Sequence, residues 1–216
     1  MAALAAPALA AVTPWNGAGG TDIYMDPVNL FTVGPVAMSN GLVWSSTNSI
    51  DQGGAVFGWT NGYSFLGNGS WNGEPAMAGT NQSSDVYGSV QSMSFDFTVA
   101  LSAIGGVINW VPNALPVTIS IYDAGDNLLD SLVMSSGGIN LETPDIFYGF
   151  QSDTANIARL TLTDGYIGIR SIKAIGYVAD PGGIPEPATW AMMIMGFGMT
   201  GTAMRASRRR RALATA

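Results

Sequence analysis

Along residues 91–99 apolar and polar positions alternate: Met93, Phe95, Phe97 and Val99 fall on one face, and Ser92, Ser94, Asp96 and Thr98 on the other. That is the period of a half-buried strand. Residues 116–122 repeat it, with Val117, Ile119 and Ile121 opposed to Thr118, Ser120 and Tyr122. Asp123-Ala124-Gly125-Asp126-Asn127 then supplies a turn before residues 128–133, so a hairpin is predicted. Ser135-Ser136-Gly137-Gly138 interrupts the pattern, and three further strands are predicted over 146–151, 157–163 and 167–177, with Asp164-Gly165 between the last two. No long stretch of residues 13–180 has the period of an amphipathic helix. The prediction is an all-β, antiparallel domain, two sheets packed face to face as a jelly-roll-like β-sandwich.

The first part of that domain is less regular. Residues 13–88 hold 14 glycines in 76 positions, well above the usual share of roughly 7%. Strands are expected at 42–45 and 55–60, with a further one at 30–33, separated by loops that wrap the sandwich. Glycine raises the entropy lost on ordering, and burial of aromatic rings must offset it. That gives Phe31, Trp44, Phe57, Trp59, Tyr63, Phe65 and Trp71 a structural use.

The pattern changes completely beyond Pro187. The 17 residues 188–204, ATWAMMIMGFGMTGTAM, carry no charge; as a helix they extend about 25 Å, the short end of what crosses a bilayer's hydrocarbon. A helix apolar all round must be buried in protein or lipid. Five arginines follow, and the positive-inside rule places them in the cytoplasm and the body across the membrane. The alternatives are a helix buried in the soluble domain and a floppy tail. Charge divides in the same place: residues 1–180 hold 14 acids against Arg159, Arg170 and Lys173, a balance of minus 11, whereas beyond them Glu186 stands alone against Arg205 and Arg208 to Arg211. So acidic a body repels nucleic acid. The division expected is a signal-peptide-like remnant over 1–12, a β-sandwich over 13–180, a linker over 181–187, a transmembrane helix over 188–204 and a basic tail over 205–216. In the first segment, Ala8-Leu9-Ala10 fits the small-x-small pattern before a signal-peptidase cut, without the positively charged region that starts such peptides.

Pro185-Glu186-Pro187, then Trp190-Ala191, Gly196-Phe197-Gly198, Gly201 and Arg208-Arg209-Arg210-Arg211 closely resemble the PEP-CTERM sorting signal of bacterial proteins, in its PEPxxWA variant. The resemblance implies export across the inner membrane, recognition by an exosortase-type membrane protease, cleavage near residues 185–187, and release to the envelope, surface or extracellular matrix. On this reading Pro185 and Pro187 hold an extended backbone in the protease, Glu186 supplies a recognition charge, residues 188–204 lie in lipid and the arginines fix topology. The bodies that precede such signals are diverse, so the resemblance carries a route and no reaction. A second resemblance covers residues 90–178: Phe147-Tyr148-Gly149-Phe150-Gln151, Ile157 to Leu162 and Gly168 to Lys173 look like the late strands of galactose-binding-like jelly rolls. No site residue is transferred from it.

The chemistry available to the body is narrow. Without cysteine or histidine there are no disulfides, no thiolate or imidazole metal sites and no histidine-activated nucleophile. No Gly-x-Ser-x-Gly elbow occurs, and Lys173, the one body lysine, is expected as a solvated cation on the last strand. Asp123 with Asp126, or Asp22 with Asp26, would be the start of a calcium site, but turn formation accounts for the first pair more simply. No metal, cofactor or catalytic residue is assigned, and no enzyme is expected. Trp44, Trp59, Tyr63 and Trp71 are the candidate glycan contacts, each ring stacking on a sugar while Asp51, Asn61, Asn68 or Asn72 bonds its hydroxyls. An exported, non-enzymatic surface or matrix protein binding extracellular polysaccharide is therefore the first expectation. A structural or protein-contact envelope protein is the second, and a carboxylate-dependent glycan hydrolase the third. A coplanar exposed ring strip separates the first from the second, in which the tryptophans are buried.

Overall fold

The computed structural model describes residues 11–38, 41–48, 55–72, 75–80, 91–112, 117–134, 146–163 and 166–177. The chain divides into two units, Met1–Ala179 and Asp180–Ala216, and every described residue belongs to the first. The leader-like residues 1–10, the expected helix over 188–204, the basic tail and all the sorting residues lie outside the described residues.

Strands are numbered in chain order. One sheet runs β1 (Val12–Pro14), β14 (Phe147–Ser152), β11 (Ala103–Trp110), β16 (Ile167–Ile175), β9 (Met77–Thr80), β6 (Ala55–Trp59) and β3 (Leu30–Phe31), with β2 (Thr21–Asp22) also on β16. The second runs β13 (Leu128–Val133), β12 (Thr118–Tyr122), β15 (Ile157–Thr163), β10 (Ser92–Leu101), β5 (Leu42–Ser46) and β4 (Val36–Ala37). A ribbon of β7 (Tyr63–Ser64) and β8 (Ser70–Trp71) stands apart. Pairing in both sheets is antiparallel, as the alternating segments predict. Among the described residues, no helix is long and apolar enough to cross a membrane.

Alternation does its expected work in the second sheet. Met93, Phe95 and Phe97 on β10, Ile119 and Ile121 on β12, and Leu160 and Leu162 on β15 are all buried. They meet Ile104, Ile108, Phe150, Ile169 and Phe57 from the first sheet in one core between the sheets. Val99 departs from expectation: it is exposed, and Leu101 is the next buried position. The pairing of β10 with β15 shifts between Asp96 and Leu101, and β5 ends opposite Phe97. Val99 thus projects where neither neighbour continues the ladder.

A second core lies on the outer side of the first sheet. Val56, Tyr63, Phe65, Trp71, Met77 and Val111 are buried together there. Gly168 on β16 makes room for them, since a Cβ at that position would lie 2.8 Å from both Met77 Cε and Phe65 Cζ.

Candidate functional site

The four rings expected to contact glycan do not form an exposed strip. Trp44 is fully buried between the sheets against Phe57, ring centroids 5.2 Å apart. Its place on β5 opposite Phe95 puts it in register with a core position. Tyr63 and Trp71 are buried in the outer core. The Tyr63 hydroxyl donates to the Thr80 carbonyl at 3.1 Å, and burial, with a smaller contribution from Tyr166, pushes its pKa well above the ordinary phenol value. Trp71 packs on Phe65 at 4.8 Å and lies under the Arg170 guanidinium at 4.6 Å. Only Trp59 is half-exposed, tilted against Phe31 at 4.6 Å. Glycine-rich loops did need these rings for burial, as the composition argued. Phe31 is the exception, being 59% exposed at the end strand β3.

Of the polar partners expected beside those rings, Asn68 is buried as well. Its Nδ2 donates to the Trp110 carbonyl at 2.7 Å, and Asn109 Nδ2 donates to the Asn68 carbonyl at 3.1 Å. Asn109 Oδ1 accepts from the Trp110 amide at 2.8 Å. This triad ties the short turn Leu66–Asn68 to β11, which is a structural use. Asp51 lies outside the described residues.

Several of the described carboxylates are engaged one by one. Asp123 Oδ1 accepts from the amides of Gly125 (2.8 Å) and Asn127 (2.9 Å), and Asn127 Nδ2 reaches both of its oxygens. Those bonds, the Asn127 side chain first, hold its carboxyl below the ordinary carboxylate value. Turn formation therefore accounts for Asp123. Asp96 and Asp126 converge, but on the guanidinium of Arg159, which bonds to both. Asp22 and Lys173 lie 3.6 Å apart on paired strands. No group of three or more acids able to hold a metal ion occurs among the described residues.

What the ring-by-ring reading missed is a cleft beside β1, lined by Pro14, Trp15, Asn16, Ala18, Phe147 and Gln151, with a volume of about 470 Å³. A second hollow of about 210 Å³ lies between Asp22–Met25, Pro75–Ala76 and Ser171–Ile172. The signal for the first was present: in 147–151 the alternate positions Phe147, Gly149 and Gln151 place a ring and an amide on one strand face with a gap between them.

No curated protein and no solved structure matches the chain, so the galactose-binding-like jelly roll has no counterpart to support it. At the other end, the expectation from sequence is met: residues 183–211 match the PEP-CTERM protein-sorting motif, which implies a chain exported through membrane-anchored sorting and recognised by an exosortase.

Proposed function

We propose that this chain is a non-enzymatic envelope or matrix protein, held in the inner membrane by residues 188–204, cut near Pro185 to Pro187 and displayed as an acidic β-sandwich. The observation that carries the delivery half is the sorting match over residues 183–211. The non-catalytic half is supported by a body that lacks histidine and cysteine and in which three of the described carboxylates, Asp96, Asp123 and Asp126, are committed to Arg159 or to a turn. Fractionation of the host cell tests delivery. Replacing Glu186 by Ala, or deleting Arg208 to Arg211, is expected to leave uncut precursor in the inner membrane; unchanged release of the shortened protein would refute the roles given to those residues.

The burial of Trp44, Tyr63 and Trp71 favours a second reading, in which the displayed body works by protein contact. Strand β13 ends its sheet among the described residues, and Leu128, Leu132 and Val133 on it are exposed. Its sequence, Leu-Leu-Asp-Ser-Leu-Val, is close to self-complementary. Set antiparallel to the same strand of a second copy, Leu128 faces Val133, Leu129 faces Leu132 and Asp130 faces Ser131. Open strand ends of this kind template pairing unless charge blocks them. Light scattering on the released protein is expected to give a dimer, and Leu132→Lys a monomer. A wild-type monomer at every concentration would remove this reading.

A further inference from the structure

The cleft beside β1 is built by two facing glycines. Gly105 on β11 and Gly149 on β14 are paired across the strands. A Cβ on Gly149 would lie 3.0 Å from the Trp15 ring, and one on Gly105 2.8 Å from the Phe147 ring. With neither Cβ present, both rings lie down on the sheet and meet edge to face, centroids 5.5 Å apart. Trp15 is then locked by two bonds, its amide to the Gly149 carbonyl at 2.8 Å and its indole Nε1–H to the Ala18 carbonyl at 3.1 Å. The loop that returns over Phe147 passes through Gly17 at a φ of +86°, and a Cβ there would press on the ring at 3.1 Å. The hollow is thus a consequence of three glycines and a fixed indole, not of a loop that happens to stand open.

Its lining chemistry differs from that of the body. None of the six lining residues is ionisable, although the body is strongly acidic. Phe147 is half-exposed, with the Gly17 loop over part of its ring, and offers the apolar surface left open, while Trp15, only 7% exposed, forms the wall beside it. Asn16 uses its Oδ1 to accept from the Ala18 amide at 3.1 Å, which leaves its NH2 group for a ligand. The carboxamide of Gln151 is exposed and makes no hydrogen bond among the described residues, so it offers both a donor and an acceptor. Lys173, opposite Gly105 and beside Trp15, lies 3.6 Å from Asp22, so the two charges next to the cleft offset each other and neither an anion nor a cation finds an unmatched partner there. A saturated ring that sets C–H groups against Phe147 and hydroxyls against the two amides satisfies every group present.

We propose that this cleft binds one or two units of a neutral polysaccharide, with Phe147 as the apolar contact and Asn16 and Gln151 as the hydroxyl contacts. That the polysaccharide is extracellular rests on the sorting reading; the binding itself does not. The test titrates the purified full-length chain, held in detergent, with neutral oligosaccharides of glucose, galactose and mannose and with alginate as an acidic control, read by calorimetry. Saturable binding of at least one neutral series is expected, weak enough to lie near the millimolar range typical of one small shallow contact. Phe147→Ala is expected to weaken it at least tenfold. Gln151→Ala, a surface change that leaves the fold intact, is expected to weaken it several-fold with an unchanged melting temperature. Absence of binding to every neutral series, binding of alginate alone, or binding untouched by both substitutions would overturn the proposal. Loss of sorting in cells with binding retained in the tube would instead count against the delivery reading and leave this one standing.

Discussion

The two cores of the body are held in different ways. Between the sheets, long strands contribute buried residues at every second position, aliphatic ones such as Ile119 and Ile121, Leu160 and Leu162, and rings such as Phe95 and Phe97. Outside the first sheet, the core is a knot of rings, Tyr63, Phe65 and Trp71 with Met77, delivered by two-residue strands and one short turn. The first is held by register over many residues, so losing one contact leaves the ladder to keep the rest in place. The second has little ladder of its own. It depends on Gly168 as a flat seat, on the Asn68–Asn109 triad as a staple and on Arg170 over the Trp71 ring. Local opening follows the number of such supports, so the outer core is the one expected to open first.

Substitutions of graded size probe that difference. Phe95→Ala removes a fully buried ring from the inter-sheet core and is expected to cost about 3–5 kcal/mol, measured by denaturant unfolding. Unfolding should remain one transition, because that core joins both sheets. Asn68→Ala leaves the Trp110 carbonyl without its buried donor, at a cost of about 1–3 kcal/mol. In hydrogen exchange it should accelerate amides of residues 63–71 and leave those of β10 and β15 unchanged. Equal acceleration in β10 would show that the two cores open as one. Arg170→Met removes the charge over Trp71 and keeps most of the apolar stem; a loss of about 0.5–1 kcal/mol is expected, again confined to the exchange of the outer ribbon.

The same contrast decides what could be read from sequence. Strands β10, β12 and β15 were legible because one face of each meets the core, which writes the period into residue type, whereas β13, with no buried residue, was legible from the turn at 123–127 that precedes it. Strand β11 was missed. Seven of its eight residues are buried, since β14 and β16 flank it and both of its faces are covered, and a strand covered on both faces has no alternation to show. Gly105-Gly106 in its middle also reads as a turn, although the glycines are there to seat rings. The short ribbon β7–β8 was illegible for another reason: two-residue strands carry no period, and Trp71 looks the same in sequence whether its ring is packed or exposed. For that reason sequence offers Trp44, Tyr63 and Trp71 as glycan contacts although their rings are buried. The sorting segment needed no fold at all. Its apolar run, prolines and terminal arginines answer to the membrane and the protease, so their order in the chain is the whole signal.

A control lying in neither core completes the series. Asp123 caps the turn between β12 and β13 through three amide groups, and Asp126 completes that turn in the left-handed region at a φ of +62°. Because the folded carboxyl titrates below the ordinary carboxylate value, the stability it contributes is fully present above the unfolded value and is lost as pH falls through the folded one. The melting temperatures of wild type and Asp123→Ala should therefore differ by a small, constant amount at neutral pH and converge in acid. Exchange in the outer ribbon should not change at any pH. The same geometry predicts that added calcium leaves the melting temperature of the wild type unmoved, because the oxygens a metal would need are already accepting from Gly125 and Asn127. A calcium-dependent rise abolished by Asp123→Ala would show that the turn gives up those bonds to an ion, and would convert this loop from a structural element into a binding site.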